Sequence, residues 1–206
     1  MRGVRSPWAL AAVLLVLLGL GGLFLIYQSA NQTTAAGTTP RSDYQVGTPG
    51  PGAVAPSFTL PSTGGGSVSL ADYRGKTVLL YFHEGLGCQP CWDQMRDLEK
   101  ASGELKSAGV DAVLAITNGP VNLIAQKVRD ERLSTVNLVD TDLAVSRAYT
   151  TNKYGMMGEG RNGHSFLLVA PDGSIRWRAD YGGAPNYTMY VPVPRLLADI
   201  RAGTPS

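Results

Sequence analysis

At 206 residues, with 18 lysines and arginines against 16 aspartates and glutamates, the chain has room for one domain of ordinary size and an appendage. From Ala53 onward 15 basic residues meet 15 acidic ones; a domain so balanced lacks the electrostatic footprint that phosphates require, which excludes nucleic acid as a partner. Two cysteines and two histidines, with no others in the chain, argue against a four-ligand zinc site.

Residues 1–7 carry Arg2 and Arg5 and are followed by WALAAVLLVLLGLGGLFLIY, from Trp8 to Tyr27. An uncharged apolar run of this length suits a helix that crosses a bilayer. The arginines before it put the N-terminus in the cytoplasm and the remainder outside. The expectation is an uncleaved signal-anchor, a transmembrane helix over residues 8–27 of a single-pass protein of the cell membrane; the alternative is a signal peptide cleaved near Thr34-Ala35-Ala36. A lipid anchor is excluded, since no cysteine lies near the N-terminus. Gln28 to Gly52 is rich in Thr, Gly, Ser and Pro and reads as a flexible tether. The folded domain is expected over residues 53–206.

Within it, Phe58 and Leu60, then Val68 and Leu70, alternate with polar neighbours around Gly64-Gly65-Gly66, a short hairpin. Thr77 to Phe82 is nearly all apolar, as a strand buried on both faces should be. Met95, Leu98, Ala101 and Leu105 recur at helical spacing until Gly109. Val110 to Thr117 is a second buried strand, Pro120 opens a helix, Val136 to Val139 is a third strand and Asp142 to Tyr149 a short helix. Ser165 to Ala170 and Ser174 to Trp177 flank Pro171-Asp172-Gly173 and form a hairpin, and Pro194 begins a last helix. Strands alternating with helices and closed by a hairpin predict an α/β fold, a central mixed β-sheet flanked by helices.

The chemistry concentrates in YFHEGLGCQPCW, Tyr81 to Trp92, between the first core strand and the first helix. Cys88 and Cys91 at i and i+3 in a first helical turn share one face and are close enough to bridge. The N-terminal dipole lowers the Cys88 pKa and makes it the attacking thiolate, with Cys91 resolving. Pro90 fits between them because the first turn has no use for its missing N–H.

With these elements in order the domain resembles the redoxin branch of the thioredoxin superfamily, the peroxiredoxin-like alkyl hydroperoxide reductase and thiol-specific antioxidant family. The matching residues are Ala55-Pro56-Ser57-Phe58-Thr59-Leu60, Ser69-Leu70-Ala71-Asp72-Tyr73-Arg74-Gly75-Lys76, Cys88-Gln89-Pro90-Cys91, and Phe166-Leu167-Leu168-Val169 before Pro171-Asp172-Gly173. The resemblance implies a thioredoxin-like fold, oxidoreductase and antioxidant chemistry at a redox-active centre, and no cofactor. Peroxiredoxins of that family place Thr or Ser three residues before the attacking cysteine, Pro seven before it, and Arg three before the Phe of the late strand. Here these positions hold Gly85, Tyr81 and Gly163, with Arg161 displaced nearby. The CxPC instead resembles that of thioredoxins, including membrane-tethered ones that reduce extracytoplasmic disulfides, although Gly163 also stands where thioredoxins carry a cis-proline.

Several neighbours carry secondary expectations. Glu84 is a candidate acceptor of the Cys91 proton, and Trp92 is expected to pack over the dithiol. His164, expected across from Cys88, gives an alternative Cu(I) set of Cys88, Cys91 and His164 with Met156 and Met157 nearby, similar to copper chaperones that pair two cysteines with a histidine; the simpler role is a hydrogen bond near the site. Tyr181, Tyr187, Met189 and Tyr190 read as core packing. The function expected is a membrane-anchored, extracytoplasmic thiol–disulfide oxidoreductase acting on disulfide or thiol protein substrates and recharged by a membrane or extracytoplasmic reductant. A thiol peroxidase and a Cu(I) metallochaperone are the alternatives.

Overall fold

The computed structural model describes residues 17, 19–22 and 43–204. The anchor expected over Trp8–Tyr27, its signal-peptide alternative and the first part of the tether lie largely outside them; Leu17 and residues 19–22 are helical. Among the described residues no helix is long and apolar enough to cross a membrane.

From residue 43 the chain builds a five-stranded sheet with helices against it. A hairpin of β1 (Thr59–Pro61) and β2 (Ser67–Ser69) precedes β3 (Val78–Phe82). Then come α1 (Gln89–Lys100), α2 (Ser102–Ser107), β4 (Ala112–Thr117), α3 (Val121–Asp130), β5 (Val136–Val139) and α4 (Ala144–Ala148). The chain closes with β6 (Ser165–Val169), β7 (Ile175–Asp180) and α5 (Val193–Gly203). Strand order is β5-β4-β3-β6-β7; β3 runs parallel to β4 and antiparallel to β6. The expected mixed sheet is therefore present. Where one helix was expected to reach Gly109, the structure has two, broken at Ala101 ahead of the weak helix formers Ser102 and Gly103.

The central position of β3 explains its composition. Leu79 and Tyr81 face a core with Trp92, Met95, Leu98, Phe166 and Trp177, while Val78, Leu80 and Phe82 face a second core with Phe58, Leu60, Tyr149 and Leu167. Because side chains alternate between faces, both of which are covered, polar residues are absent from the strand until it ends. His83, the first residue beyond it, begins the functional segment.

The tether is shorter than expected. Its last part, residues 43–52, lies on the sheet edge at β7: Gln45 exchanges both backbone hydrogen bonds with Asp180 (3.0 and 2.8 Å), and the Gly52 N–H donates to the Ile175 carbonyl at 2.8 Å. Beneath it Arg178 and Asp180 form a fully buried bidentate ion pair, with Nε to Oδ2 at 2.7 Å and Nη2 to Oδ1 at 2.9 Å. Asp180 Oδ2 also accepts the Gly47 N–H at 2.7 Å, and Arg178 Nη1 donates to the Pro49 carbonyl at 2.9 Å. Gly47 approaches closely because a Cβ there would lie 2.5 Å from Arg178 Nη2. The folded unit therefore begins near residue 43, not at Ala53, because this segment supplies partners that a buried ion pair needs.

Removing one member of the pair strands the other in the interior. Asp180→Ala is expected to cost about 3–5 kcal/mol and to release residues 43–52 to proteases, as read by thermal melts and limited proteolysis; an unchanged melt would refute this role.

Candidate active site

The site grows from the end of β3. His83 and Glu84 leave the strand, a single 3-10 turn over Gly85–Gly87 redirects the chain, and Cys88 becomes the N-cap of α1. Pro90 sits in the first helical turn, where its lack of an N–H has no cost. Cys88 and Cys91 are joined in a disulfide, their Cα atoms 5.3 Å apart. The Cys91 N–H points at Cys88 Sγ, 3.2 Å away. A negative charge developing on Cys88 would meet that donor and the positive end of the helix. Cys91 sits deeper, wholly buried, while 4% of Cys88 remains accessible. Of the two sulfur-bearing residues, only Cys88 keeps any access to solvent.

Beneath the dithiol lies a layer of aromatic rings. Trp92 is fully buried and donates its indole N–H to the Gly85 carbonyl at 3.0 Å, tying the helix to the preceding turn. It packs edge-on against His83, and His83 stacks on Tyr81. Tyr81 Oη lies 3.1 Å from His164 Nδ1 and 3.4 Å from the Cys91 carbonyl. With the hydroxyl donating to the carbonyl, Oη is left to accept from Nδ1–H of His164. Burial, with the Glu84 charge adding, raises the Tyr81 phenol well above its ordinary pKa. Burial also lowers both imidazoles from 6.5 to about 3, with His83 adding to the effect on His164.

Glu84 is buried and turned to a structural task. Its Oε1 accepts the N–H groups of Met156 and of Met157, the latter at 3.0 Å, so it holds the loop before β6 rather than either cysteine. The expectation that it takes the Cys91 proton finds no hydrogen bond to support it. Gly163 has no room for any side chain, since a Cβ would fall 2.0 Å from the Tyr154 carbonyl oxygen. That carbonyl accepts the His164 N–H at 2.8 Å and so fixes the start of β6.

The Cu(I) set is not assembled. Among the described residues no group of three His, Cys, Asp or Glu side chains is placed to hold a metal ion; the sulfurs bond to each other and His164 bonds to Tyr81. Met156 and Met157 lie exposed on the loop held by Glu84. Within the expected packing cluster Tyr187 is exposed, whereas Tyr181 and Met189 are buried as expected, Met189 in a small core cluster with the two cysteines. Nothing local in the sequence marks it, because it comes from an irregular loop about a hundred residues after the dithiol.

A cleft of about 680 Å³ lies at the opposite end of β3 and is lined by Lys76, Glu99, Lys106 and Asp111 among others. Its Glu99 carboxylate is engaged by Thr135 and the Ser134 N–H. The chemistry is at the shallow dithiol face instead.

A strand, a one-turn link, a CxPC disulfide capping a helix and a late antiparallel strand beneath it also describe a known family. The model of the AhpC/TSA family matches residues 51–178, well over half of the chain. The chain belongs to the AhpC/TSA family. Peroxiredoxin Bcp of Escherichia coli strain K12 is 35% identical over 125 residues, covering 61% of this chain and 74% of that protein. The thiol–disulfide oxidoreductase ResA of Halalkalibacterium halodurans is 35% identical over 98 residues, 48% of this chain and 55% of that protein. The crystal structure of peroxidoxin BcpB from Mycobacterium tuberculosis shares the fold, with a TM-score of 0.60, 18% identity, and coverage of 74% of this chain and 97% of that one. This member of the family is an oxidoreductase working by thiol chemistry.

Its departures from the family pattern have a steric basis. Gly85 has φ +80°, a conformation that side chains strain to adopt, and a Cβ there would lie 2.6 Å from Thr117 Oγ1. Threonine does not fit that position, nor arginine position 163. Arg161 instead directs Nη1 toward the Glu84 carbonyl, 3.5 Å away.

The neutral histidines make stability depend on pH. Between about 3 and 6.5 the unfolded chain binds protons at His83 and His164 that the folded chain refuses, so stability rises with pH across this window and is lost as pH falls through it. His164→Gln is expected to flatten the slope of unfolding free energy against pH by up to about 1.4 kcal/mol per unit. Denaturant melts from pH 4 to 7 would show parallel curves if His164 were charged in the fold.

Proposed function

We propose that the chain is a membrane-anchored thiol–disulfide oxidoreductase whose domain works outside the cytoplasm. The observation that carries the exchange reaction is the Cys91 N–H aimed at Cys88 Sγ at the head of α1, together with the exclusion of side chains at positions 85 and 163. A peroxidase needs donors placed to stabilise charge on the breaking O–O bond; a disulfide exchange needs only a stabilised attacking thiolate and a resolving thiol. The apolar run Trp8–Tyr27 behind Arg2 and Arg5 supports the anchor and its orientation. Likeness to ResA supports disulfide substrates.

In the reduced protein the Cys88 thiolate attacks one sulfur of a substrate disulfide. A Cys88–substrate bond forms as the substrate bond breaks, and the first substrate thiolate leaves and takes a proton. Cys91 then loses its proton and attacks Cys88 Sγ; the Cys88–Cys91 bond forms and the second substrate thiolate departs. Two electrons pass from the protein to the substrate, and a dithiol partner at or beyond the membrane restores them. Pro90 and Trp92 hold the turn in which this occurs, and His164 with Tyr81 supports the Cys91 carbonyl.

Two outcomes test the order of attack. Cys91→Ser should accumulate a mixed disulfide at Cys88 visible by mass spectrometry and lose turnover by a hundredfold or more, whereas Cys88→Ser should trap nothing. Multiple turnover by Cys91→Ser at the wild-type rate would refute a resolving role.

The 35% identity to peroxiredoxin Bcp favours a second reading, a thiol peroxidase in which Cys88 is oxidised by peroxide. The reduced protein is expected to react with hydrogen peroxide no faster than a free thiol and with a small disulfide much faster. Rapid loss of thiols to peroxide that vanishes in Cys88→Ser would reverse the choice.

A further inference from the structure

The disulfide is nearly closed off, and two methionines from separate loops lie close to it, Met189 beside the cysteines and Met157 against the residue before Cys88. Met189 packs against both cysteines and is itself almost buried. Met157 lies on Gly87, the residue before Cys88. Each methionine rests on a glycine that makes room for it: a Cβ on Gly87 would come 2.7 Å from Met157 Cε, and one on Gly182 would come 2.8 Å from Met189 Cε. Glu84 fixes the backbone of the Met157 loop through the Met156 and Met157 N–H groups. Large apolar side chains on these same segments are exposed, with Met156 at 62%, Met157 at 44%, Tyr187 at 47% and Leu86 at 37%.

With Cys88 only 4% accessible and Met189 clustered with it, a bulky group approaching Cys88 would meet Met189. Methionine is suited to this because its unbranched chain repacks around many shapes and its thioether is soft and polarisable. A displaced Met189 keeps apolar company only if the incoming molecule brings apolar groups with it. A small, highly charged disulfide brings none. The charged groups beside Trp92 do not recruit it either, because Lys127 is paired with Glu131 at 2.6 Å and with Gln89 at 3.1 Å. We propose that Met157 and Met189 are specificity-determining residues that favour a disulfide carried on an extended polypeptide with apolar flanking side chains over a small charged disulfide. This rests on the exchange reaction proposed above.

The test uses the full-length protein, reduced and freed of reductant. Its oxidation is timed by thiol titration with a disulfide-bonded peptide bearing Leu and Phe beside each cysteine, and with oxidised glutathione. The Met157→Ala, Met189→Ala double variant should lower the ratio of the peptide rate constant to the glutathione rate constant roughly tenfold. The corresponding leucine variants, which keep volume and apolarity, should hold that ratio within about twofold of wild type. Met157→Ala alone, at a half-exposed position the fold tolerates, should lower it in the same direction. A ratio unmoved by the alanine changes in a folded protein overturns the inference and leaves the exchange reaction standing. A wild type that reacts with neither disulfide overturns the exchange reaction and the inference with it.

Discussion

Everything at the functional end depends on a single N–H directed at a sulfur. The Cys91 amide can point at Cys88 Sγ only because α1 begins at Gln89, and α1 begins there because a one-turn link brings the chain sharply off β3. That link in turn requires a residue at φ +80°, which Gly85 supplies. The same glycine that lets the thiolate be stabilised removes the hydroxyl with which relatives would polarise a peroxide. The proposed preference for disulfide exchange over peroxide reduction therefore rests on one backbone cause.

The layer under the dithiol is neutral despite holding two imidazoles and a phenol. Burial holds the histidines uncharged and the tyrosine protonated, so no fixed positive charge adds to the helix dipole. In the proposed exchange, stabilisation of a Cys88 thiolate would then come from backbone N–H groups rather than from these imidazoles. This distinguishes the site from cysteine sites activated by His⁺ or Lys, and it leaves the hydrogen bonds at the head of α1 to set the balance between dithiol and disulfide.

How much of this could be read from the amino acids follows from the range over which each feature is determined. The strand, the CxPC and the helix were legible because local pattern fixes them: a continuous apolar run, a proline allowed only in a first turn, and apolar residues at helical spacing. Gly163 was legible as a departure from family pattern, but its reason, the Tyr154 carbonyl oxygen in the place of a side chain, needed the tertiary arrangement. Met189 is buried as its composition suggests, but that its core neighbours are the two cysteines has no signal near it in the sequence. The tether was drawn too long for the same reason, since a Gly- and Pro-rich composition describes chain stiffness and is silent about a buried ion pair some 130 residues away. Glu84 was recognised as noteworthy for its place, yet its loop-holding task depends on Met156 and Met157 coming back beside it.

The strap of residues 43–52 has a consequence beyond holding Arg178 and Asp180. Strand β7 ends the order β5-β4-β3-β6-β7, and an uncovered edge strand is a template on which a second chain can pair. Gln45 exchanges both backbone hydrogen bonds with Asp180 at one end of that edge, and at the other the Gly52 N–H donates to Ile175, whose own N–H donates to Ala53. A chain shortened to Ala53 would therefore lose more than a leader. It would uncover the Asp180 end of the edge while Ala53 and Val54 still cover the other, and self-association through the bared end would be the first thing seen at high concentration.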